Sequence, residues 1–178
     1  MKSIYEIERK FLVKLPLSQE ASEYIAENGD APTHIVQTYL ISASPNGDVV
    51  ERVRLVTVDM WGASFAHFTH TTKKFVSAGI NEEVEVLLNK DKYDASISRA
   101  DLTKESIDKV RYFIPWADKL FELDIFGGSH EGLAILEIEL TSMDEPFELP
   151  PFLEVIREVT AEKEYSNNQL ADKLSEIE

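Results

Sequence analysis

Cysteine is absent from this chain of 178 residues, which excludes disulfide bonds, thiolate zinc sites and cysteine nucleophiles. Apolar runs of the ~18 residues that a transmembrane helix needs are also missing, and residues 1–10 lack the apolar core of a signal peptide. A glycine-rich phosphate loop is not found either, because Gly127–Gly128 is typical of a turn. We therefore expect a soluble protein of the cytoplasm.

Basic residues are scarce. Lysine and arginine together number 18 against 33 aspartates and glutamates, and the formal net charge is −15. Non-specific binding of nucleic acid and attraction to anionic membranes both need an excess of positive charge, so neither partner is expected. An acidic protein binds an anion only where basic residues gather locally or where metal ions intervene.

The residues that are present predict a packed β-rich fold. Hydrophobic residues at 43% and aromatic residues at 10% indicate a core, and the length predicts a single domain over residues 1–178. Eight segments with β-branched or alternating residues are predicted strands: Ser3–Lys14, Thr33–Ala43, Val49–Val58, Phe65–Val76, Asn81–Leu88, Ile107–Ile114, Lys119–Phe126 and Leu133–Thr141. Their number predicts a mainly β (α+β) fold built on an antiparallel barrel.

The sequence predicts fewer helices than strands. Ser18 is a typical N-cap for a helix that ends near Asn28, before Gly29. Three further segments are predicted helices: Tyr93–Arg99, Phe152–Ile156, and the tail from about Glu162, which carries Leu170 and Leu174 on one side.

Charged residues recur at a spacing of two along the predicted strands. Residues i, i+2 and i+4 of a strand share a face, so Glu6, Glu8 and Lys10 point the same way. The same parity groups the basic pairs Arg52/Arg54 and Lys109/Arg111, and the acidic pairs Glu83/Glu85, Glu122/Asp124 and Glu137/Glu139.

Two explanations fit this alternation. A solvated outer face of a sheet is the usual one. The other is a barrel lumen. It is favoured because the intervening Ile7, Val84, Leu123 and Ile138 are apolar and need a dry face, and because basic and acidic pairs fall on different strands. Charges in a lumen are costly unless they are paired, hydrated or bound to ions. Polyphosphate suits such a lumen, since cationic side chains hold its oxygens and carboxylates hold Mg²⁺ or Mn²⁺ that bridge to them.

The segment E-I-E-R-K-F-L-V at residues 6–13 closely resembles the E-x-E-x-K hallmark of the CYTH family, also called triphosphate tunnel metalloenzymes. Further segments resemble that family's motifs in the same order: Gln37–Leu40, Arg52–Arg54, His70–Lys73, Glu83–Glu85, Lys109–Arg111, Glu122–Asp124, Glu137–Glu139, and Glu158–Thr160 with Tyr165 and Asn167. Lys74 is an alternative to Lys73 if the strand register differs by one residue. Asn81 and Glu164 stand where the family usually has basic residues.

This resemblance implies a closed eight-stranded antiparallel β-barrel tunnel with flanking helices and a C-terminal helix. It also implies the function of the small bacterial inorganic triphosphatases, which cleave tripolyphosphate to pyrophosphate and phosphate with Mg²⁺ or Mn²⁺. Direct attack by a metal-positioned water is expected, because no Ser, Cys or His is placed as an obvious nucleophile. A thiamine triphosphatase, a class IV-type adenylyl cyclase and a non-catalytic polyphosphate or nucleotide binder are the alternatives. The expected partner is a small-molecule triphosphate, and a homodimer is left open.

The resemblance assigns roles residue by residue. Metal ligation is implied for Glu6, Glu8, Glu137 and Glu139, with Glu83 and Glu85 as further acidic lining of the metal site. Phosphate binding is implied for Lys10, Arg52, Arg54, Lys73, Lys109 and Arg111. Among these, Lys109 and Arg111 are expected nearest to the attacked phosphorus, and Tyr39 is expected to orient the terminal phosphate or the water.

Overall fold

The computed structural model describes residues 4–173 of the chain. Over these residues the strands are β1 (Tyr5–Val13), β2 (Thr33–Leu40), β3 (Val49–Met60), β4 (Ala63–Ser77), β5 (Ile80–Leu88), β6 (Ile107–Trp116), β7 (Lys119–Phe126), β8 (Ala134–Glu139) and β9 (Val155–Glu158). The α-helices of the same residues are α1 (Gln19–Asn28), α2 (Lys90–Ile97) and α3 (Asn167–Leu170).

Eight of the strands close into a ring in the order β1-β5-β4-β3-β2-β6-β7-β8, with every neighbouring pair antiparallel. The ring closes at β1, which pairs with β8 through Glu8–Val13 and with β5 through Tyr5–Ile7. The short β9 pairs with the end of β1 and is not part of the ring. The predicted closed eight-stranded antiparallel barrel is therefore confirmed.

The main hydrophobic core lies outside the barrel wall. Outward-facing residues of β1, β6, β7 and β8 pack against α1 and the segment after β8: Phe11, Ile114, Phe121, Leu123, Leu136 and Ile138 against Ala21, Ile25, Leu140, Phe152 and Leu153. Burying this face against a helix leaves the alternate residues of the same strands to point into the lumen. The alternation of charged and apolar residues thus has its apolar side outward and its charged side inward.

The first helix begins and ends where the sequence predicts. The Ser18 hydroxyl oxygen accepts a hydrogen bond from the backbone N–H of Ala21, which satisfies a free donor of the first turn. Gly29 follows the helix with extended backbone, so the left-handed cap expected from a glycine is not formed. A Cβ at this position would lie 2.6 Å from the carbonyl oxygen of Phe113, and this close approach explains the glycine.

A second hydrophobic cluster covers one end of the barrel. Inward-facing Tyr39, Ile107, Phe126 and Ile135 pack against Ala171 of the C-terminal segment. The Lys104 ammonium fixes this segment by donating to the carbonyl oxygen of Asn168 at 3.0 Å and by pairing with Asp172. The C-terminal segment therefore covers this end of the lumen.

Two local predictions are wrong. Residues 152–156 do not form a helix, because the β-branched Val155 pairs with Val13 at the start of β9. The tail is not one amphipathic helix from Glu162 but a 3₁₀ turn (Lys163–Tyr165) followed by the four-residue α3, capped by Ser166. Leu174 lies outside the described residues. None of the helices found between residues 4 and 173 is long and apolar enough to cross a membrane.

Candidate active site

The lumen contains a cavity of about 190 Å³. Its lining is almost entirely charged: Glu6, Glu8, Lys10, Arg52, Arg54, Lys73, Glu83, Glu85, Arg111, Glu122, Glu137, Glu139 and Asn167. Of the site residues that the sequence predicts, all but Tyr39 and Lys109 line this cavity. The lumen interpretation of the charge pattern is therefore confirmed, and the solvated-face interpretation is wrong for these strands.

Strand register decides which side chains face the cavity. Glu8 lies opposite Glu139 and Lys10 opposite Glu137 in the β1–β8 pairing, so both members of each pair point inward. On β4 the choice between the two adjacent lysines is resolved by their contacts. Lys73 pairs with Glu8 and Glu83 in the cavity, each at 3.5 Å, whereas the outward-facing Lys74 pairs with Asp48 at 3.1 Å.

Lysines bridge the carboxylates along β1 and β8. Lys10 Nζ lies 3.1 Å from Glu8 and 3.0 Å from Glu137. Burial opposes the ionisation of Glu137, but Lys10 and Arg111 outweigh it and hold the pKa of Glu137 well below its usual range. Glu8 behaves in the same way, because Lys10 and Lys73 outweigh its burial and lower its pKa. These two carboxylates are therefore ionised and neutralised.

Glu6 differs from Glu8 and Glu137, because its pKa is raised rather than lowered. Its Oε2 is buried and accepts no hydrogen bond of good geometry, although Lys73 lies beside it. Burial, followed by the negative charge of Glu8, raises the pKa of Glu6 to about 7. Asn81, which faces Glu6 across the β1–β5 pairing, supplies a neutral amide where the resemblance leads one to expect a basic residue. The positive charge of Lys73 therefore lowers the pKa of Glu6, but it does not offset burial and the negative charge of Glu8.

Three arginines, Arg52, Arg54 and Arg111, lie close together in the lining of the cavity. Burial, and then the positive charges of Arg52 and Arg111, lower the pKa of Arg54 to about 10. Arg52 is buried as well, and its Nε has no hydrogen-bond partner. The nearest carboxylate oxygens are 3.4 Å from Arg52 and 3.7 Å from Arg54, too far for strong ion pairs. This part of the cavity therefore carries positive charge that an anion would neutralise.

Lys109 lies behind the lining, where it and Asp124 form a fully buried ion pair. Asp124 also accepts two hydrogen bonds from Arg111, at 2.7 and 2.8 Å, so it fixes the plane of that guanidinium. Burial lowers the pKa of Lys109 to about 8, against the attraction of Asp124. Asp124 thus supports two of the basic residues that the sequence assigns to phosphate binding.

Tyr39 is buried at the closed end, where its hydroxyl accepts a 2.6 Å hydrogen bond from Gln37 Nε2. Sequence reasoning did not assign Gln37, Glu122, Asp124 or Asn167 to the site. Glu122 and Asp124 carry the same period-two signal as the assigned pairs, so this signal was sufficient to find them. Asn167 belongs to the closing motif of the family resemblance, which gave it no role, and it reaches the cavity through the packing of the C-terminal segment.

The lining carries seven carboxylates against five basic side chains, so its formal charge is negative before any ligand binds. Glutamate oxygens are ligands that Mg²⁺ and Mn²⁺ accept. Among residues 4–173, however, no three acidic or histidine side chains are already gathered around one point as a ready metal site. Lysine and arginine partners hold most of them, and the buried Oε2 of Glu6, whose ion pair with Lys73 lacks hydrogen-bond geometry, is the oxygen that best fits an added cation.

Substitutions Glu6→Gln and Glu8→Gln are expected to change the metal-free stability in opposite directions. The folded state holds an extra proton on Glu6 between about pH 4.5 and 7, so stability falls as pH rises through that window. Glu6→Gln removes this loss and should raise the melting temperature at pH 8 in EDTA. Glu8→Gln should lower it, because Lys10 and Lys73 lose a neutralising partner.

Calorimetry at pH 5 and pH 8 would measure both effects. Glu154→Gln is the matched control. Within residues 4–173, this exposed carboxylate forms one ion pair, and its partner is the exposed Lys14. The gain from Glu6→Gln should be small at pH 5 and larger at pH 8. A Glu6→Gln protein that melts below the wild type at pH 8 would show that Glu6 is already neutralised.

A closed antiparallel tunnel with a charged interior is the architecture of the triphosphate tunnel class, and three comparisons bear on this. An inorganic triphosphatase of Acetivibrio thermocellus is 39% identical over 67 residues, which cover 38% of this chain and 42% of that protein. The chain thus matches less than half the length of this curated relative. A crystal structure of an inorganic triphosphatase is 26% identical, covers 98% of this chain and 97% of that chain, and superposes with a TM-score of 0.58.

A protein from Pyrococcus horikoshii, 19% identical over 78% of this chain and 80% of that one, has the same fold with a TM-score of 0.55. No family model matches the sequence. With the ordered charged motifs now located on the inner face of a closed barrel, these similarities support the resemblance of the chain to the CYTH, or triphosphate tunnel, family.

Proposed function

We propose that the protein is a metal-dependent inorganic triphosphatase that cleaves tripolyphosphate to pyrophosphate and phosphate. The observation that carries the proposal is the cluster of Arg52, Arg54 and Arg111 in a buried cavity without close neutralising partners for the first two. Guanidinium groups are suited to phosphate because their forked donors match its oxygens. The triphosphatases among the similar proteins support the same chemistry.

The size and polarity of the cavity favour an inorganic substrate. A volume of about 190 Å³ is small for a nucleotide, since pockets for drug-sized ligands run from ~300 Å³ upward. Among the described residues, the lining has no aromatic or aliphatic side chain on which an adenine or thiamine ring would stack. Tripolyphosphate has no ring to bind, so charged side chains are sufficient to recognise it. We therefore infer that it is preferred to ATP and thiamine triphosphate.

A divalent cation follows from the charges. The lining is already negative, and tripolyphosphate adds several further negative charges, so binding needs positive charge that the five basic residues do not supply. Glu6, Glu8, Glu137 and Glu139 would hold Mg²⁺ or Mn²⁺, with Glu83 and Glu85 nearby. The bound cation would neutralise phosphate oxygens and lower the pKa of a bound water.

The protein's own residues position and neutralise the substrate. Arg52 and Arg54 hold the phosphate chain, while Arg111, braced by Asp124, lies nearer the attacked end with Lys109 behind it. Among the described residues, no Ser, Cys or His lines the cavity as a nucleophile, so we infer that water attacks the terminal phosphorus. One phosphorus–oxygen bond forms, the bond to the bridging oxygen breaks, and pyrophosphate leaves.

Product analysis tests this function. Phosphate release from tripolyphosphate, ATP and thiamine triphosphate would be measured with Mg²⁺, with Mn²⁺ and with EDTA. We expect tripolyphosphate to be cleaved fastest, EDTA to abolish the reaction, and ¹⁸O from labelled water to appear in phosphate. Cyclic AMP and pyrophosphate formed from ATP would instead indicate a cyclase. Binding without turnover would indicate a non-catalytic binder, and activity undiminished by EDTA would contradict the role of the metal.

A further inference from the structure

We propose that Gln37 is a positioning residue that fixes the Arg54 guanidinium for phosphate binding while leaving its charge unneutralised. This inference rests on the proposed function, because it identifies how the same cavity keeps its positive charge available. Gln37 does not line the cavity and is not expected to touch the substrate.

Gln37 lies in a chain of three side chains inside the barrel. Its carboxamide is fully buried, with an exposed fraction of 0%. Oε1 accepts a hydrogen bond from Arg54 Nε at 2.7 Å, and Nε2 donates one to the Tyr39 hydroxyl at 2.6 Å. A guanidinium only donates, so the oxygen of Gln37 must face Arg54. The orientation of the amide is thereby fixed at both ends.

Arg54 needs such a partner because its surroundings push it away. Burial and the like charges of Arg52 and Arg111 disfavour its ionised form, and the carboxylate of Glu85 is 3.7 Å distant. The hydrogen bond to Gln37 engages Nε and holds the group in place. It does not engage the two terminal nitrogens, and Arg54 lines the cavity.

The neutrality of Gln37 is the decisive property. A glutamate at this position would form a buried ion pair with Arg54 and reduce the positive potential that attracts phosphate. The Tyr39 hydroxyl could then donate to the new carboxylate, so the hydrogen-bonding groups would all stay partnered. An amide orients the arginine as a carboxylate would, but it adds no negative charge.

The variant Gln37→Glu separates orientation from charge. We expect it to raise the melting temperature of the ligand-free protein, since the repulsion among Arg52, Arg54 and Arg111 is relieved. We also expect it to weaken tripolyphosphate binding and raise KM by roughly 10-fold or more, a loss in the range of one charge-assisted hydrogen bond. A residue with a merely structural role would not move these two quantities in opposite directions.

Gln37→Met and Thr38→Val complete the experiment. Gln37→Met removes the acceptor for Arg54 and should lower both stability and kcat/KM. Thr38→Val alters an outward-facing residue of the same strand, bonded to Ser106 on the exposed side, and should leave KM unchanged. Melting is followed by calorimetry, KM and kcat by phosphate release, and affinity by isothermal titration with tripolyphosphate.

The outcomes distinguish this inference from the proposed function. If the wild type neither binds nor cleaves tripolyphosphate, the proposed function fails. If the wild type does both and Gln37→Glu keeps its KM and affinity, the positioning inference alone is overturned. A Gln37→Glu protein that binds more weakly and is also less stable than the wild type would likewise overturn it, because its loss of binding would then follow from a damaged fold.

Discussion

Replacing Asp124 by Asn is expected to lower the free energy of unfolding by about 3–5 kcal/mol, the usual cost of removing one partner from a buried ion pair. Asp124 and Lys109 are both fully buried, and Asp124 also carries two hydrogen bonds from Arg111. For a chain of this size, the loss corresponds to a fall in melting temperature of roughly 10 °C. The difference in unfolding free energy between the wild type and the variant should become smaller as the pH rises towards 8. The reason is that Lys109 loses its proton at a lower pH in the variant than in the wild type.

Calorimetry between pH 6 and 8 would measure this effect. The double variant Lys109→Met/Asp124→Leu removes both charges and should recover much of the lost stability, since Arg111 retains Glu122 and Glu137 as partners. Glu154→Gln, which breaks an exposed pair, should change the melting temperature little. A melting temperature for Asp124→Asn within about 2 °C of the wild type, less than 1 kcal/mol on this scale, would contradict the buried pair.

Replacing Arg54 by Lys is expected to reduce kcat/KM for tripolyphosphate on the order of 100-fold, a loss typical of removing one charge-stabilising donor from a reaction site. The positive charge remains, but a lysine has no Nε in the place that bonds Gln37 and no fork of donors for phosphate oxygens. The rate of phosphate release at saturating Mg²⁺ measures the change.

Arg9→Lys is the matched control. Arg9 lies on β1 between Glu8 and Lys10 but faces outward, where it forms a two-pronged ion pair with Glu158 at 2.8 and 2.7 Å. The same exchange of arginine for lysine at this position should leave kcat/KM unchanged. Equal losses in the two variants would show that the effect arises from stability, and unchanged activity in Arg54→Lys would remove Arg54 from the phosphate site.

The sequence predicts the barrel and the cavity wall because both depend on strand parity, which is local. Glu6, Glu8 and Lys10 face inward for the same reason that Phe11 and Val13 face the outer core: the side chains of a strand alternate. The order of the motifs was predicted from the resemblance to a family. The choice of Lys73 over Lys74 depends on the strand register and was decided by the contacts of the two lysines in the structure.

Features that depend on distant packing could not be predicted in this way. The strand β9 exists because Val155 meets the end of β1, more than a hundred residues away in the chain. Asn167 reaches the cavity because Lys104 holds the C-terminal segment against the barrel. The bond from Arg54 to Gln37 joins two strands, and neither residue's sequence neighbours reveal it.

The covered end of the barrel has a consequence for chain length. Tyr39, Ile107, Phe126 and Ile135, together with Ala171, block one end, so a linear polyphosphate cannot be threaded through the protein. If the protein is the triphosphatase proposed above, such a chain would have to enter end first, and the depth of the cavity would limit how many phosphate units are held at once. Product and the next substrate would pass through the same opening, so each cleavage of a longer chain would be followed by complete withdrawal before the next. We therefore expect cleavage of long chains to be distributive rather than processive.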